Sequence, residues 1–310
     1  MAAAVQTGVA APVILSASRA TDIPAFYADW FMNRLRAGFF PWRNPFNPRQ
    51  VQTVSTERVR AIVFWSKHPA GILQHLGELD RRGLHCYFQY TLNDYAAEGF
   101  EPGLPELEER LGLFRRLADR LGPDRVVWRL DPLLLTERLG VPELLAKAER
   151  LIAALAGCTR KLVFSFADLD RYAAVRRNLA RAGIAAREFT PDEMRAFARG
   201  LADINRACDL ELATCAEEAD LSEFGIGHNR CVDGDLLARL WPGDGALVQF
   251  LASSAARKDK GQRKACGCVA SKDIGRYRTC PHRCAYCYAT GHPAEAVRNF
   301  RAHRPEAPEL

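Results

Sequence analysis

The sequence predicts an α/β fold, a full or partial (β/α) TIM-type barrel carrying a C-terminal cysteine-rich tail. Three observations point there. Short apolar runs rich in Val, Ile, Phe and Tyr alternate with longer segments of helical periodicity, the pattern of βαβ units feeding a parallel sheet. The apolar runs are closed by polar or charged residues, as barrel strands are at the face where active sites form. Five of the ten cysteines crowd between Cys266 and Cys287, outside the alternating pattern.

The expected strands are Pro12 to Ala17, Arg60 to Trp65, His85 to Thr91, Arg125 to Leu130, Lys161 to Phe166 and Leu210 to Thr214. Between them the periodicity predicts helices over Pro24 to Arg36, Pro69 to Arg82, Leu104 to Leu121, Val141 to Ala156, Tyr172 to Ala182 and Pro191 to Cys208. Thr190-Pro191-Asp192-Glu193 is a helix start, with a proline that needs no N–H partner and acids that favour the positive end of the helix dipole. Gly83, Gly122 and Gly157 mark helix ends. Phe39 to Pro48 carries three prolines and reads as a rigid loop or short hairpin. Ala255 to Lys264 is polar and basic, a connector. Residues 1–254 are therefore expected to form the barrel and 255–310 an iron–sulfur tail packed on its mouth.

Composition sets the class. The 310 residues are 48% hydrophobic and 26% charged, which excludes a disordered or fibrous chain, and the formal charge of +6 is too small to argue for nucleic acid. No apolar run approaches the ~18 residues of a membrane span. The opening Met1-Ala-Ala-Ala-Val-Gln lacks the basic start of a secretory signal, so a cytoplasmic protein is expected. In that compartment clustered cysteines point to metal or redox chemistry rather than disulfides.

If the barrel forms, the strand-closing residues converge on one cavity. Arg19, Lys67, Arg129 and Asp131 are the candidate catalytic residues, because an ion beside an aromatic strand needs a partner or a ligand. The three cations would suit a carboxylate or phosphate on a small-molecule substrate. Ser16, Gln89, Ser165 and Thr214 close other strands and are candidates for binding a cofactor. Each could equally be turn chemistry or a helix cap. Trp42 with Arg43 and Phe46 is a further place where a small ligand could stack.

Cys280-Pro-His-Arg-Cys284-Ala-Tyr286-Cys287 sets three thiols at spacings of three and two, with an aromatic residue before the last. Three thiolates at these spacings suit three corners of a cubane cluster and leave its fourth iron open. The run resembles the cluster-binding signature of radical S-adenosylmethionine enzymes, Cys-x3-Cys-x-aromatic-Cys, and matches it at Cys280, Cys284, Tyr286 and Cys287. Those enzymes carry it near the N-terminus, whereas here it lies near the C-terminal end. That position, together with Ser18-Arg19-Ala-Thr21-Asp22-Ile23-Pro24, Arg43-Asn44-Pro45-Phe46-Asn47-Pro48, Phe64-Trp65-Ser66-Lys67 and Cys268-x2-Ser271-x-Asp273-Ile274-Gly275, resembles a bacterial family of unknown function with a C-terminal radical-SAM-like cysteine cluster. The resemblance implies a 4Fe-4S cluster on Cys280, Cys284 and Cys287, S-adenosylmethionine as cofactor, and a reductant such as flavodoxin or ferredoxin.

Cys215, Cys231, Cys266 and Cys268 are a possible second site for an iron–sulfur cluster or zinc, or ligands to a soft substrate atom. The bland reading of Cys215 and Cys231 is that they are small buried residues. Cys86, Cys158 and Cys208 read as structural, and His282 as a loop residue near the cluster. The expected function is reductive cleavage of S-adenosylmethionine to a carbon radical acting on a small anionic or soft-atom substrate. One alternative is 3-amino-3-carboxypropyl transfer to a soft acceptor such as trivalent arsenic. Another is a barrel hydrolase or lyase with a structural zinc knuckle.

Overall fold

The computed structural model describes residues 5–45, 47, 49–259 and 261–310. Its centre is a sheet of eight parallel strands: β1 (Ile14–Ala17), β2 (Ala61–Ser66), β3 (His85–Thr91), β4 (Val126–Leu133), β5 (Lys161–Phe166), β6 (Glu211–Thr214), β7 (Gly227–His228) and β8 (Lys272–Asp273). Side by side they run β7-β6-β5-β4-β3-β2-β1-β8, which is chain order with the last strand brought round beside the first. No ladder joins β7 to β8 among the described residues, so the closed form of the expected barrel is not found. The reason is local. Each edge strand is two residues long, and the chain between them turns inward instead of extending the sheet.

Side-chain alternation along the strands sorts the core into two layers. Leu15, Ala17, Ile62, Phe64, Phe88, Tyr90, Trp128, Leu162 and Phe164 face the helices. Ile14, Ala61, Val63, Tyr87, Val127 and Val163 face inward, onto Val232, Leu236, Leu237 and Leu247 of the segment between β7 and β8. That segment folds as helices Gly234–Leu240 and Gly245–Ala252. Both layers are buried, so a one-residue slip of any strand would exchange them, and the register is pinned from both sides.

All six strands expected from the sequence are present, with ends shifted by up to three residues. The helix expected over Pro24 to Arg36 breaks at Tyr27 into Ile23–Phe26 and Ala28–Ala37, and that over Pro69 to Arg82 into Ala70–Leu73 and Leu76–Arg81. Thr190 caps Pro191–Asn205 and shares a reciprocal capping box with Glu193. Phe39–Arg43 pairs antiparallel with Gln50–Ser55, the hairpin form of the proline-rich stretch, and Gly38 enters it at φ 85°, a conformation open to glycine. Phe46 and Pro48 lie outside the described residues. No helix among the described residues is long and apolar enough to cross a membrane.

Candidate functional site

The cysteine run lies across the ends of β1, β2 and β3, held by side chains from the loops that follow those strands. Just past β1, Asp22 Oδ1 accepts from Ser66 Oγ (2.7 Å) and the Ala25 N–H (3.0 Å), and its Oδ2 accepts from the Lys67 backbone N–H (2.8 Å) with His282 Nε2 2.8 Å from the same oxygen. Burial opposes the charge on Asp22, but the His282 and Ser66 hydrogen bonds outweigh it and hold the carboxyl below its ordinary range. At the far end of the run Lys67 Nζ donates to Tyr286 Oη (2.8 Å) and Glu101 (2.7 Å), and the Asn93 amide reaches the same hydroxyl (3.2 Å). Tyr286 also donates to Glu101.

Backbone contacts complete the docking. The Gly103 N–H donates to the His282 carbonyl (3.0 Å), and the Ala285 N–H to the Phe100 carbonyl (2.8 Å). Asn178 Nδ2 donates to the Cys287 and Thr290 carbonyls at 2.9 and 2.8 Å. Arg283, at φ 58°, turns the run between Cys280 and Cys284. Burial raises the Cys280 thiol to about 12, helped by the charge on Asp22, and burial likewise raises the Cys284 thiol well above its ordinary value. Cys284 senses Cys287 and Cys280 through space, so the three sulfurs share one neighbourhood.

The strand-closing candidates divide between this loop and the sheet's inner face. Lys67 belongs to the loop. Arg129 points inward, paired with Asp131, bonded to Gln89 Oε1 (3.3 Å) and stacked on Trp65 at 5.3 Å. Arg19 stacks on the same indole at 4.9 Å and meets Asp273 of β8 at 3.8 Å. Ser16 donates to Asp273 (2.8 Å), Ser165 to Asp131, and Gln89 Nε2 to the Cys231 carbonyl (2.9 Å). Thr214 is elsewhere, turned to the Gly227 carbonyl of β7. Each of the three cations thus has a carboxylate partner inside the protein: Glu101 for Lys67, Asp131 for Arg129 and Asp273 for Arg19.

The second cysteine set also assembles. Cys215 Sγ lies 3.4 Å from Cys231 Sγ, and Cys268 and Cys266 pack in the same apolar cluster as that pair. Nitrogen donors converge on these sulfurs: Arg129 Nη1 (3.0 Å) and Asn229 Nδ2 (3.2 Å) on Cys231, and the Val232 N–H (3.3 Å) on Cys268. The hydrogen bond from Cys268 holds the Cys266 thiol down at about 7. Among the described residues no three His, Cys, Asp or Glu side chains already surround a common centre as a metal shell does, and the four thiols form a chain.

Glu101 and Asn93 carry no signal in the sequence, and Trp65 and Asp273 stand there only within motifs of the resemblance, without a site role. Asn93 and Glu101 follow β3, where the reading of strand ends stopped at Thr91, and Asp273 sits in a strand too short to show a pattern. Trp65 counts as strand hydrophobe by composition, yet two guanidinium groups lie over its ring. His282 is a loop residue as expected, bonded to Asp22. Trp42 is covered by Lys272, whose Nζ sits 3.3 Å from the ring centre, while Phe46 lies outside the described residues.

The family model described as Domain of unknown function (DUF1848) matches residues 14–289, from β1 to just past Cys287, and the chain belongs to that family. No curated protein and no solved structure matches it.

Proposed function

We propose that this DUF1848 protein is a radical S-adenosylmethionine enzyme built on a partial (β/α) barrel. The observation that carries the reading is the Cys280, Cys284, Tyr286, Cys287 run held across the ends of three parallel strands, the face where enzymes of this architecture work. The donor set suits the group. Three sulfurs share one neighbourhood, with Cys284 buried, and His282, which touches the loop, keeps a buried Nδ1 without a hydrogen-bond partner.

Held by Cys280, Cys284 and Cys287, a 4Fe-4S cluster would supply an open iron for the amino and carboxylate groups of S-adenosylmethionine, and the electron that cleaves it to a carbon radical. The protein's own residues fix the geometry. Asp22 and His282 anchor the first turn of the loop, and the Lys67, Glu101, Asn93 and Tyr286 network anchors the last. Trp65 carries both the Arg19 and the Arg129 guanidinium groups over its ring at the inner face. The buried Arg19 Nη2 and Trp65 Nε1 have no hydrogen-bond partner, which favours a small anionic or soft-atom substrate that would accept from them.

The test is anaerobic reconstitution followed by iron and sulfide analysis and product identification after reduction with S-adenosylmethionine. About four irons per chain and reductive cleavage are expected, both lost in C280A/C284A/C287A. 5′-Deoxyadenosine would mark hydrogen abstraction, and 5′-methylthioadenosine would mark 3-amino-3-carboxypropyl transfer. Zinc without iron at these cysteines, or full cleavage by the triple variant, would overturn the reading.

A further inference from the structure

The sheet is open on one side, and the four cysteines outside the tail run come from the segments that flank the opening. Cys215 directly follows β6 and Cys231 lies three residues past β7, while Cys266 and Cys268 sit in the approach to β8. β7 and β8 are the two unjoined edges. We propose that Cys215, Cys231, Cys266 and Cys268 bind a single Zn2+ ion that clasps these edges together, closing with sulfur and metal what the backbone leaves open. The proposal does not depend on the radical-enzyme reading.

Sulfur spacing selects the occupant. Four thiolates about 2.3 Å from one ion in a tetrahedron lie about 3.8 Å from one another. Cys215 and Cys231 are 3.4 Å apart, and Cys268 and Cys266 pack in the same cluster as that pair, so the four sulfurs are close enough for one ion to gather them. A cubane cluster takes each thiolate on a different iron at its outer corners and needs the sulfurs farther apart. A disulfide between Cys215 and Cys231 would need about 2.05 Å and would leave Cys266 and Cys268 without a role.

The surroundings suit thiolates. Arg129 Nη1, Asn229 Nδ2 and the Val232 N–H already donate to Cys231 and Cys268, fixing two sulfurs and offsetting negative charge on them. The inner half of the site is rigid, since Cys231 and Cys268 are buried among Val13, Val63, Val127 and Val232, and the Cys231 carbonyl accepts from Tyr87 and Gln89 at 2.6 and 2.9 Å. Cys215 and Cys266 are half-exposed and supply the entry side. Binding exchanges the four thiol protons, released to solvent, for one divalent ion, so no oxidant or reductant is needed.

The experiment is metal analysis of the full chain purified anaerobically without chelator, read beside titration of its free thiols. One zinc per chain is expected, retained in C280A/C284A/C287A and lost in C231S/C268S. Because the double variant removes buried groups and could misfold, C266S at the half-exposed ligand is the second arm. It should keep native circular dichroism and bind Zn2+ roughly tenfold or more weakly in chelator competition. Co2+ loaded in place of Zn2+ should show the visible bands of tetrahedral thiolate coordination. Free titration of all four thiols in metal-free folded protein would overturn the proposal. So would about four further irons lost with C231S/C268S, a Cys215–Cys231 disulfide, or unchanged zinc affinity in C266S. Failure of the tail run to take up iron would leave all these results standing, so the two readings fail separately.

Discussion

The two thiol groups of this protein each mix buried and partly exposed sulfurs, yet they are held in opposite ways. In the tail run the fixed points are around the sulfurs: Tyr286, His282 and the carbonyls of Cys287 and Thr290 are bonded to the loops and helix beside the sheet, while the sulfurs interact with one another through space. At the sheet edge the fixed points are the sulfurs themselves, in contact with one another and with nitrogen donors. A frame that holds its thiols apart leaves room for a bulky group with an open coordination position. Thiols already in contact suit one small ion. The two regions nonetheless share a wall, because Arg129 touches Cys231 and its partner Asp131 donates its N–H to Asn93, which reaches Tyr286.

The largest separation of the two should come from C280A/C284A/C287A, which is expected to lose all tail iron and all cofactor cleavage while the edge zinc stays at one per chain. Loss of both metals together, by elemental analysis, would break the comparison. Arg129→Ala is next. It removes a buried ion-pair partner and leaves Asp131 uncompensated, so chemical denaturation should show about 3–5 kcal/mol lost. From the sequence alone this variant is expected to fold normally, with Arg129 meeting a guest. The internal ion pair to Asp131 is the reason for the changed expectation, and an unaltered denaturation midpoint would restore the first view.

Gly103→Ala tests the tail frame alone. A methyl group there would sit 2.3 Å from the His282 carbonyl oxygen, which is backbone and cannot swing away. The run should shift outward and iron occupancy should fall severalfold, with zinc unchanged. Equal loss of zinc would show that the regions are mechanically one. Tyr286→Phe removes the hydroxyl shared by Lys67, Glu101 and Asn93 and should cost about 1–3 kcal/mol, with iron uptake slowed rather than abolished. A stability unchanged within error would mean that the network re-forms without it.

The smallest effect concerns the edge. Burial pulls Lys272 of β8 from 10.5 down to about 8. The folded state therefore releases this proton before the unfolded chain does, and stability should rise as pH climbs from about 8 towards 10.5. Lys272→Met should flatten that rise in melting temperature. An unchanged slope would place the titration elsewhere.

Strands β1 to β6 were legible in the sequence because each is a run of apolar residues bounded by turn or cap chemistry, and runs such as Ala61 to Trp65 are apolar on both faces, as a doubly covered parallel sheet requires. The spacing at Cys280, Cys284 and Cys287 was equally plain, since it is carried by neighbours in the chain. β7 and β8 were not, because two residues carry no period, and the helices from Gly234 to Ala252 were hidden in a segment without a strand signal at either end.

The sequence by itself determined that this is an α/β chain with a parallel sheet, and that Cys280, Cys284 and Cys287 form one group, because periodicity and short spacings are local. Only the tertiary structure decided how the cysteine groups sit. Cys215 and Cys268 are separated by more than fifty residues, and their neighbourhood depends on where β8 pairs with β1. The carboxylates of Glu101, Asp131 and Asp273 neutralise the three strand-end cations only once three separate loops have met. A buried charge must find its partner wherever the fold brings one, and nothing in the local sequence encodes that distance.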